Sequence, residues 1–345
     1  DVEGDEWLVE IDRDETLKTD FDFDSKTIIQ KIQDAGIVGL GGATFPTHVK
    51  LVPPVGMKAS VLLINGVECE PYLTSDHRLM LEKSDEIMVG TRILMKAMNV
   101  DKAFIGIENN KPDAIQLLTS KTAKYPEIAI VPLKVKYPQG GEKQLIKAVT
   151  GKEVPSGGLP IAVGAVVSNV GTAFAVYEAV QKNKPLFERV VTVTGKGVKR
   201  PSNFKVRMGT ATTELIEAAG GLPENTGKII SGGPMMGKAL ATPDVPVTKG
   251  TSGILILSEK EAKRQDYMEC IRCGRCVSVC PMGLEPYLLM TVSEKQLFDR
   301  AENEKVLDCI ECGSCSYTCP SNRPLLDYIR YGKGKVGQIV RSRKK

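Results

Sequence analysis

The 345-residue chain is 42% hydrophobic and 26% charged, which excludes a disordered polymer and allows two or three compact domains. Its net charge of +4, with no basic stripe interleaved by aromatics, argues against a nucleic-acid binder. The least polar stretch, Leu159 to Val180, is interrupted by Ser168, Asn169, Thr172 and Glu178, so it reads as a buried strand and helix rather than a membrane span.

Residues 1–24 form an acidic lead, with Asp1, Glu3, Asp5, Glu6, Glu10, Asp12, Asp14, Glu15, Asp20, Asp22 and Asp24 against Arg13 and Lys18. It reads as a solvated end. The sequence starts at Asp1 rather than at a methionine and is expected to be a fragment of a longer product. Lys26–Ala35 has helical spacing and runs into Gly39-Leu40-Gly41-Gly42, and Ser60–Ile64 is a short apolar strand. Asp76 to Met98 has the period of one long helix, with Met80, Met88, Met95 and Met98 as core filler. Ala103–Ile107 reads as strand, Lys111–Thr122 as helix, Ile128–Lys136 as strand and Glu142–Val149 as helix. Ala165–Ser168 and Thr172–Gln181 repeat the strand-then-helix order. This alternation predicts a mainly parallel sheet with helices on its faces over residues 25–185.

The pattern then changes. Strands at Arg189–Thr194 and Phe204–Arg207, a helix at Thr212–Ala219 and strands at Lys228–Ile230 and Gly253–Leu257 suggest a small α+β module. Ser231–Gly237 reads as a tight turn inside it, with a cofactor contact as the second reading. The last stretch, with Lys333, Lys335, Arg341, Arg343, Lys344 and Lys345, is a basic tail. A solvated end is one reading of it, and docking on anionic lipid or an acidic partner is the other.

Eight of nine cysteines fall in two copies of one motif. Cys270-x2-Cys273-x2-Cys276-x3-Cys280-Pro281 repeats as Cys309-x2-Cys312-x2-Cys315-x3-Cys319-Pro320. Three cysteines two apart wrap one face of an iron–sulfur cube, and the fourth, on the following helix, reaches the other cube. The expected ligand sets are Cys270, Cys273, Cys276 and Cys319 for one [4Fe–4S] cluster. Cys309, Cys312, Cys315 and Cys280 are expected to hold the other. Zinc is the rival for thiolate ligands, but it usually takes two separated cysteine pairs. The ninth, Cys69, reads as a small buried apolar residue. Thiolate-bound iron implies a reducing compartment, the cytoplasm or a membrane's cytoplasmic face.

Clusters move single electrons and need a source or a sink. The stretch Gly39-Leu-Gly-Gly-Ala-Thr-Phe-Pro-Thr-His-Val-Lys50 can offer backbone amides and one cation to a phosphate, or can be a glycine-rich turn that binds nothing.

Gly39–Lys50 resembles the glycine-rich flavin loop of the NADH-oxidising subunit of respiratory complex I. Taken with Ile64-Asn-Gly-Val-Glu-Cys-Glu-Pro71 and Asp76-His-Arg-Leu-Met80, the chain is similar over nearly its whole length to the C subunit of the Rnf electron-transport complex. The resemblance implies a Rossmann-like FMN/NADH-binding α/β domain at 25–185 and a β-grasp, soluble-ligand-binding module at 187–260. A helical, ferredoxin-like two-[4Fe–4S] domain at 262–332 and the tail 333–345 complete the chain, and a further family domain is expected before residue 1. It further implies non-covalent FMN, NAD(H) as substrate and a peripheral place on the cytoplasmic face of the membrane. The implied partners are the other subunits of the complex and ferredoxin.

By the same resemblance, FMN phosphate sits on Gly39, Gly41, Gly42 and Lys50. Asn65 and Glu68 contact the flavin, and Glu70 lines the nicotinamide side. Tyr137, Gly140 and Glu142 belong to a second loop, with Glu142 on the nucleotide, and Asn169 and Thr172 belong to a third. Val67 and Gly141 depart from the complex I pattern, which has acidic residues there. A flavin suits the coupling, because it accepts a hydride's electron pair and passes electrons singly. Two other readings stand beside this one: a soluble flavin and iron–sulfur cobalamin reductase, and a flavin-free iron–sulfur relay.

Overall fold

The computed structural model describes residues 6–343. The lead, for the residues described, is not a free solvated end. Ile11 is buried, the Asp12 amide donates to the Lys182 carbonyl at 2.9 Å, and Trp7 meets Phe187 edge-on at 5.3 Å between ring centres. Ile11, Phe21 and Phe23 pack inward, whereas most of the described carboxylates, and Leu8 and Val9, stay exposed.

Helix α1 (Ser25–Asp34) starts where the Asp24 carboxylate accepts from the Thr27 amide at 2.8 Å, and buries Ile28 and Ile32. Helix α2 (Thr47–Lys50) follows the glycine loop. Strand β1 is Val61–Asn65. The expected single helix over 76–98 is two, α3 (Ser75–Glu82) and α4 (Ser84–Met98), broken at Lys83 with φ −126° and ψ 32°. The break leaves α3 free to aim its first amides at Glu68. Strand β2 (Ala103–Glu108), helix α5 (Pro112–Lys121), strand β3 (Ile128–Leu133), helix α6 (Glu142–Thr150), strand β4 (Ala165–Asn169) and helix α7 (Val170–Lys182) complete this part.

All four strands are parallel, in the order β3-β2-β1-β4. Helices α4 and α7 cross on one face. At their crossing Gly90 lies against the Ala173 carbonyl, where any Cβ would overlap backbone. Because the chain leaves β1 toward β2 on one side and returns as β4 on the other, a crevice opens at the C-terminal ends of β1 and β4. Asn65 and Asn169 end those two strands and are paired in register.

The next unit is a five-stranded mixed sheet in the order β6-β5-β9-β7-β8, with one helix, α8 (Thr212–Ala218). Its strands are β5 (Glu188–Thr194), β6 (Ser202–Arg207), β7 (Thr226–Ser231), β8 (Lys238–Ala239) and β9 (Gly253–Ser258). Val191, Val193, Leu215, Ile216, Ile254 and Ile256 form its own core. The third unit is helical: α9 (Glu259–Ala262) leads to α10 (Arg275–Ser278), α11 (Pro286–Glu294), α12 (Phe298–Asn303), α13 (Ser314–Thr318) and α14 (Leu325–Ser342). Leu289, Met290, Val306, Leu325 and Ile329 pack there with the cysteines of both motifs. The expected tail from 333 is, as far as 342, the second half of α14. Lys333 bonds Glu311 and the Cys309 carbonyl, and Arg343 bonds Glu302. Lys344 and Lys345 lie outside the described residues.

Candidate functional site

The glycine loop arrives at the crevice between β1 and β4. The Leu40 amide donates to Thr172 Oγ1 at 2.9 Å, which ties the loop to the first turn of α7. Among the described residues the amides of Gly41 and Gly42 have no hydrogen-bond partner. Gly42 has φ 110°, which side chains rarely adopt, and a Cβ there would meet no protein atom within 4 Å. Free donors beside open space are what a phosphate requires. Lys50, at the end of α2, holds Glu142 of α6 at 2.6 Å, so the loop's cation and the second loop's carboxylate share the rim.

Asn65 and Asn169 line the floor. Asn65 Nδ2 donates to the Gly140 carbonyl at 2.8 Å, joining the second loop to β1. Asn169 Oδ1 caps α7 by accepting from the Gly171 amide at 2.8 Å, and its Nδ2 donates to Asp76 at 2.6 Å. The side chain is therefore fixed at both ends.

Beneath lies a buried charge cluster. Glu68 has φ 46°, a strained value for a side-chain residue, and it accepts from the Asp76 amide at 2.8 Å and the His77 amide at 3.0 Å at the start of α3. Burial, then the negative charge of Asp76, pushes the Glu68 carboxyl up to about 7. Burial raises Asp76 as well, opposed by the Asn169 amide and by Arg189. Arg189 and the Asn169 amide favour the charge on Asp76, and the Asp76 and His77 amides favour it on Glu68, so the two carboxyls titrate as one interacting pair. Arg189, 8% exposed, comes from β5 of the neighbouring module and donates to the Leu40 carbonyl at 3.4 Å. The adjacent unit thus braces the glycine loop. Lys111 donates to the Val67 carbonyl at 2.7 Å from below. Val67, where complex I has an acid, is fully buried in an apolar cluster.

Glu70, expected on the nicotinamide side, is engaged by a turn of the neighbouring module. Its two oxygens accept from the amides of Met235 at 3.1 Å and Met236 at 2.7 Å, in the Ser231–Gly237 turn. Cys69 Sγ accepts from the Gly140 amide at 3.4 Å, and burial pushes its thiol up to about 11, so it is an inert packing residue.

The cysteine motifs fold alike. Arg272 (φ 54°) and Glu311 (φ 58°) occupy the same place in each copy, and their amides donate at 3.4 Å to Cys270 Sγ and Cys309 Sγ. One apolar pocket is lined by Cys280, Cys309, Cys312 and Cys315 together. Burial, then the neighbouring Cys309 and Cys312, pushes the Cys315 thiol up to about 12, with Cys280 adding to it. Cys276 is raised likewise by burial, with Cys319 and Cys270 nearby. Cys280 therefore stands with the first three cysteines of the second motif, and Cys319 lies near Cys276 of the first. Crowded buried thiols ionise only against bound cations, which suits an iron cluster.

The flavin-side loops touch the second motif and the end of the first. Tyr137 Oη donates to the Cys312 carbonyl at 2.7 Å, and Gln144 Nε2 donates to Met282 Sδ, just past Cys280-Pro281, at 3.1 Å. Asp308, beside Cys309, accepts from the Gly157 amide at 2.9 Å. The start of the first motif lies further out, with Cys270 and Cys273 exposed.

Comparison with known proteins agrees with this geometry. The family model for the Nuo51 FMN-binding domain matches residues 32–178, an SLBB domain matches 190–239, and a 4Fe-4S dicluster domain matches 262–320. The chain is 50% identical over 330 residues to the C subunit of a proton-translocating ferredoxin:NAD(+) oxidoreductase complex from Clostridium ljungdahlii, covering 95% of this chain and 71% of that one. The chain belongs to this C-subunit family. The corresponding protein of the Na(+)-translocating complex of Acetobacterium woodii is 47% identical, covering 91% of this chain and 71% of that one. The C subunit of the ion-translocating oxidoreductase complex of Rhodobacter capsulatus is 46% identical, over 90% and 60%. Two solved structures of NAD+-reducing [NiFe]-hydrogenase, H2-reduced and air-oxidized, share the fold. Their TM-scores are 0.57 and 0.61, their identities 19% and 18%, and they cover 91% of this chain and 60% and 66% of those chains. As a member of the C-subunit family the chain is an oxidoreductase component of a multi-subunit ion-translocating complex, with FMN and two [4Fe–4S] clusters as its cofactors. Among the described residues no helix is long and apolar enough to cross a membrane.

Three features of the site have no sequence signal that isolates them. Asp76 looks like any acid at a helix start, Arg189 lies in another unit, and the Ser231–Gly237 turn shows only its glycines.

Proposed function

We propose that the chain passes electrons between NAD(H), FMN and two [4Fe–4S] clusters, at the cytoplasmic face of the membrane, within a ferredoxin:NAD+ oxidoreductase coupled to ion translocation. FMN, when bound, couples the electron pair of a hydride to single-electron carriers. Gly41 and Gly42 present amides to its phosphate, while the Gly39 amide, expected there too, donates to the Phe45 carbonyl at 2.9 Å and closes the loop; Lys50 adds charge, and Asn65, Glu68, Asn169 and Thr172 shape the crevice. Glu142 and Tyr137 border the nucleotide side. Cys280, Cys309, Cys312 and Cys315 hold the inner cluster, and Cys270, Cys273, Cys276 and Cys319 hold the outer one. The outer cluster faces the partner, with ferredoxin or a neighbouring protein of the complex beyond it.

The observation that carries this reading is the Tyr137–Cys312 hydrogen bond, which joins the nucleotide loop to a cluster-ligand loop. The test is an iron, sulfide and flavin assay on anaerobic protein, followed by mixing with NADH. About eight irons and one FMN per chain, both bleached by NADH, are expected. Full iron with no flavin and no bleaching would instead make the chain a relay.

A further inference from the structure

Three units of the chain meet at the Ser231–Gly237 turn. On one side both Glu70 oxygens accept from its backbone, at 3.1 and 2.7 Å. The fit is tight, since a Cβ on Gly233 would lie 2.6 Å from Glu70 Cδ. On the other side the Met235 carbonyl oxygen lies 2.9 Å from where a Cβ would stand on Gly313, the residue after Cys312. The turn is itself fixed to β9, because the Gly232 amide donates to the Gly253 carbonyl at 2.7 Å. So the β-grasp module inserts a rigid wedge between the flavin-domain loop that carries Glu70 and the loop that carries Cys312.

We propose that this turn is the spacer that sets the separation between the flavin and the inner cluster, with Glu70 as the positioning residue that clamps it. The inference rests on the reading that FMN occupies the glycine loop and that Cys280, Cys309, Cys312 and Cys315 hold a cluster. A carboxylate that receives two backbone amides is a strong, directional clamp. It fixes the turn in a way that a hydrophobic contact, which slides, does not. The module thereby acquires a role inside the electron path, and Glu70 acts on the cluster side of the flavin.

Two variants of the anaerobic holoprotein test it. Gly233→Ala forces the turn away from Glu70 and leaves the carboxylate in place. Glu70→Gln presents an amide N–H to a backbone N–H and loosens the same clamp. Three readouts separate the possibilities: the rate of flavin bleaching by NADH, the rate at which the cluster EPR signal appears after freeze-quenching, and hydrogen exchange over residues 231–237. In both variants cluster reduction should slow by about tenfold, within the penalty for misplacing reacting groups by about 1 Å. Exchange over the turn should accelerate, and Gly233→Ala should keep the wild-type rate of flavin bleaching. Unchanged cluster rates despite faster exchange would overturn the proposal. So would a Glu70→Gln effect confined to the NADH concentration dependence, which would make Glu70 a nicotinamide contact. Loss of either cofactor from both variants would make the turn a folding element and also overturn it. Wild-type protein without FMN or iron would instead sink the underlying reading.

Discussion

Lys50 and Glu142 face each other as an ion pair of 2.6 Å at the rim of the crevice, joining the glycine loop to the start of α6. Each side chain is about one-third exposed, at 34% and 39%, so the pair itself contributes little stability, about 1 kcal/mol or less. On the proposed reading the pair is a point of competition: an FMN phosphate would draw on Lys50 and leave Glu142 free to accept from a nucleotide's ribose hydroxyls.

The two partners should therefore separate in titrations. Lys50→Ala is expected to weaken FMN binding. Glu142→Gln should leave FMN as tight or tighter, while NADH binding weakens by about 1.5–3 kcal/mol, the worth of a charge-assisted hydrogen bond. Wild type should prefer NADH to NADPH, because the Glu142 charge repels a 2′-phosphate. Flavin fluorescence titration of deflavinated protein and stopped-flow bleaching measure these effects. Equal NADH dependence in wild type and Glu142→Gln would remove the residue from the nucleotide site.

Gly41 and Gly42 should fail differently. A Cβ on Gly41 would lie 3.5 Å from Asn169 Cβ, an ordinary contact, so Gly41→Val should fold but fill the space the phosphate needs. FMN should be lost with the iron content intact. Gly42→Ala also meets the strain of φ 110°, worth about 1–3 kcal/mol, so its melting temperature should fall as well. Stoichiometric FMN in Gly41→Val would show that the phosphate lies elsewhere.

The cysteine exchange between motifs is equally open to test. Cys280 shares a pocket with Cys309, Cys312 and Cys315, so Cys280→Ser should perturb the EPR signal of the inner cluster and Cys319→Ser that of the outer. The inner cluster lies against the flavin domain, so Cys280→Ser should also slow the first cluster reduction after NADH. If each serine disturbed the cluster of its own motif, the crossed ligation would be wrong.

Most of the scaffold is legible in the sequence because its signals are local. Strand–helix alternation specifies the parallel sheet, and cysteine spacing specifies the two motifs, since both depend on neighbours within a few residues. What is not legible depends on contacts between units. Arg189 reaches the Leu40 carbonyl across 149 residues, and Glu70 meets Met235 across 165; no period or spacing encodes such pairs. The loop's resemblance to a flavin loop says what Glu70 is expected to line, and carries no information about the second unit whose turn its two oxygens also hold. The split of the expected helix at Lys83 is of the same kind. Apolar periodicity runs through residues 76–98, yet α3 turns to place its amides on Glu68.

Glu68 should make stability fall as pH rises. Its carboxyl titrates near 4.5 when unfolded and near 7 in the fold, raised first by burial and then by Asp76. Between those values the folded chain holds a proton that the unfolded chain has lost, so this residue favours folding below about pH 4.5. That contribution is lost progressively as pH climbs to about 7. Glutamine stays neutral throughout and can still accept one of the two amides that Asp76 and His77 offer. Compared with wild type, Glu68→Gln should therefore gain stability between pH 5 and pH 8, in the window set by those two pKa values. Trp7 is the only tryptophan and packs on Phe187 at the edge of the flavin domain, so its fluorescence can follow urea unfolding there. If the urea midpoints of the two proteins run parallel from pH 5 to pH 8, Glu68 is ionised at both ends of the range. The proton then does not reside on it.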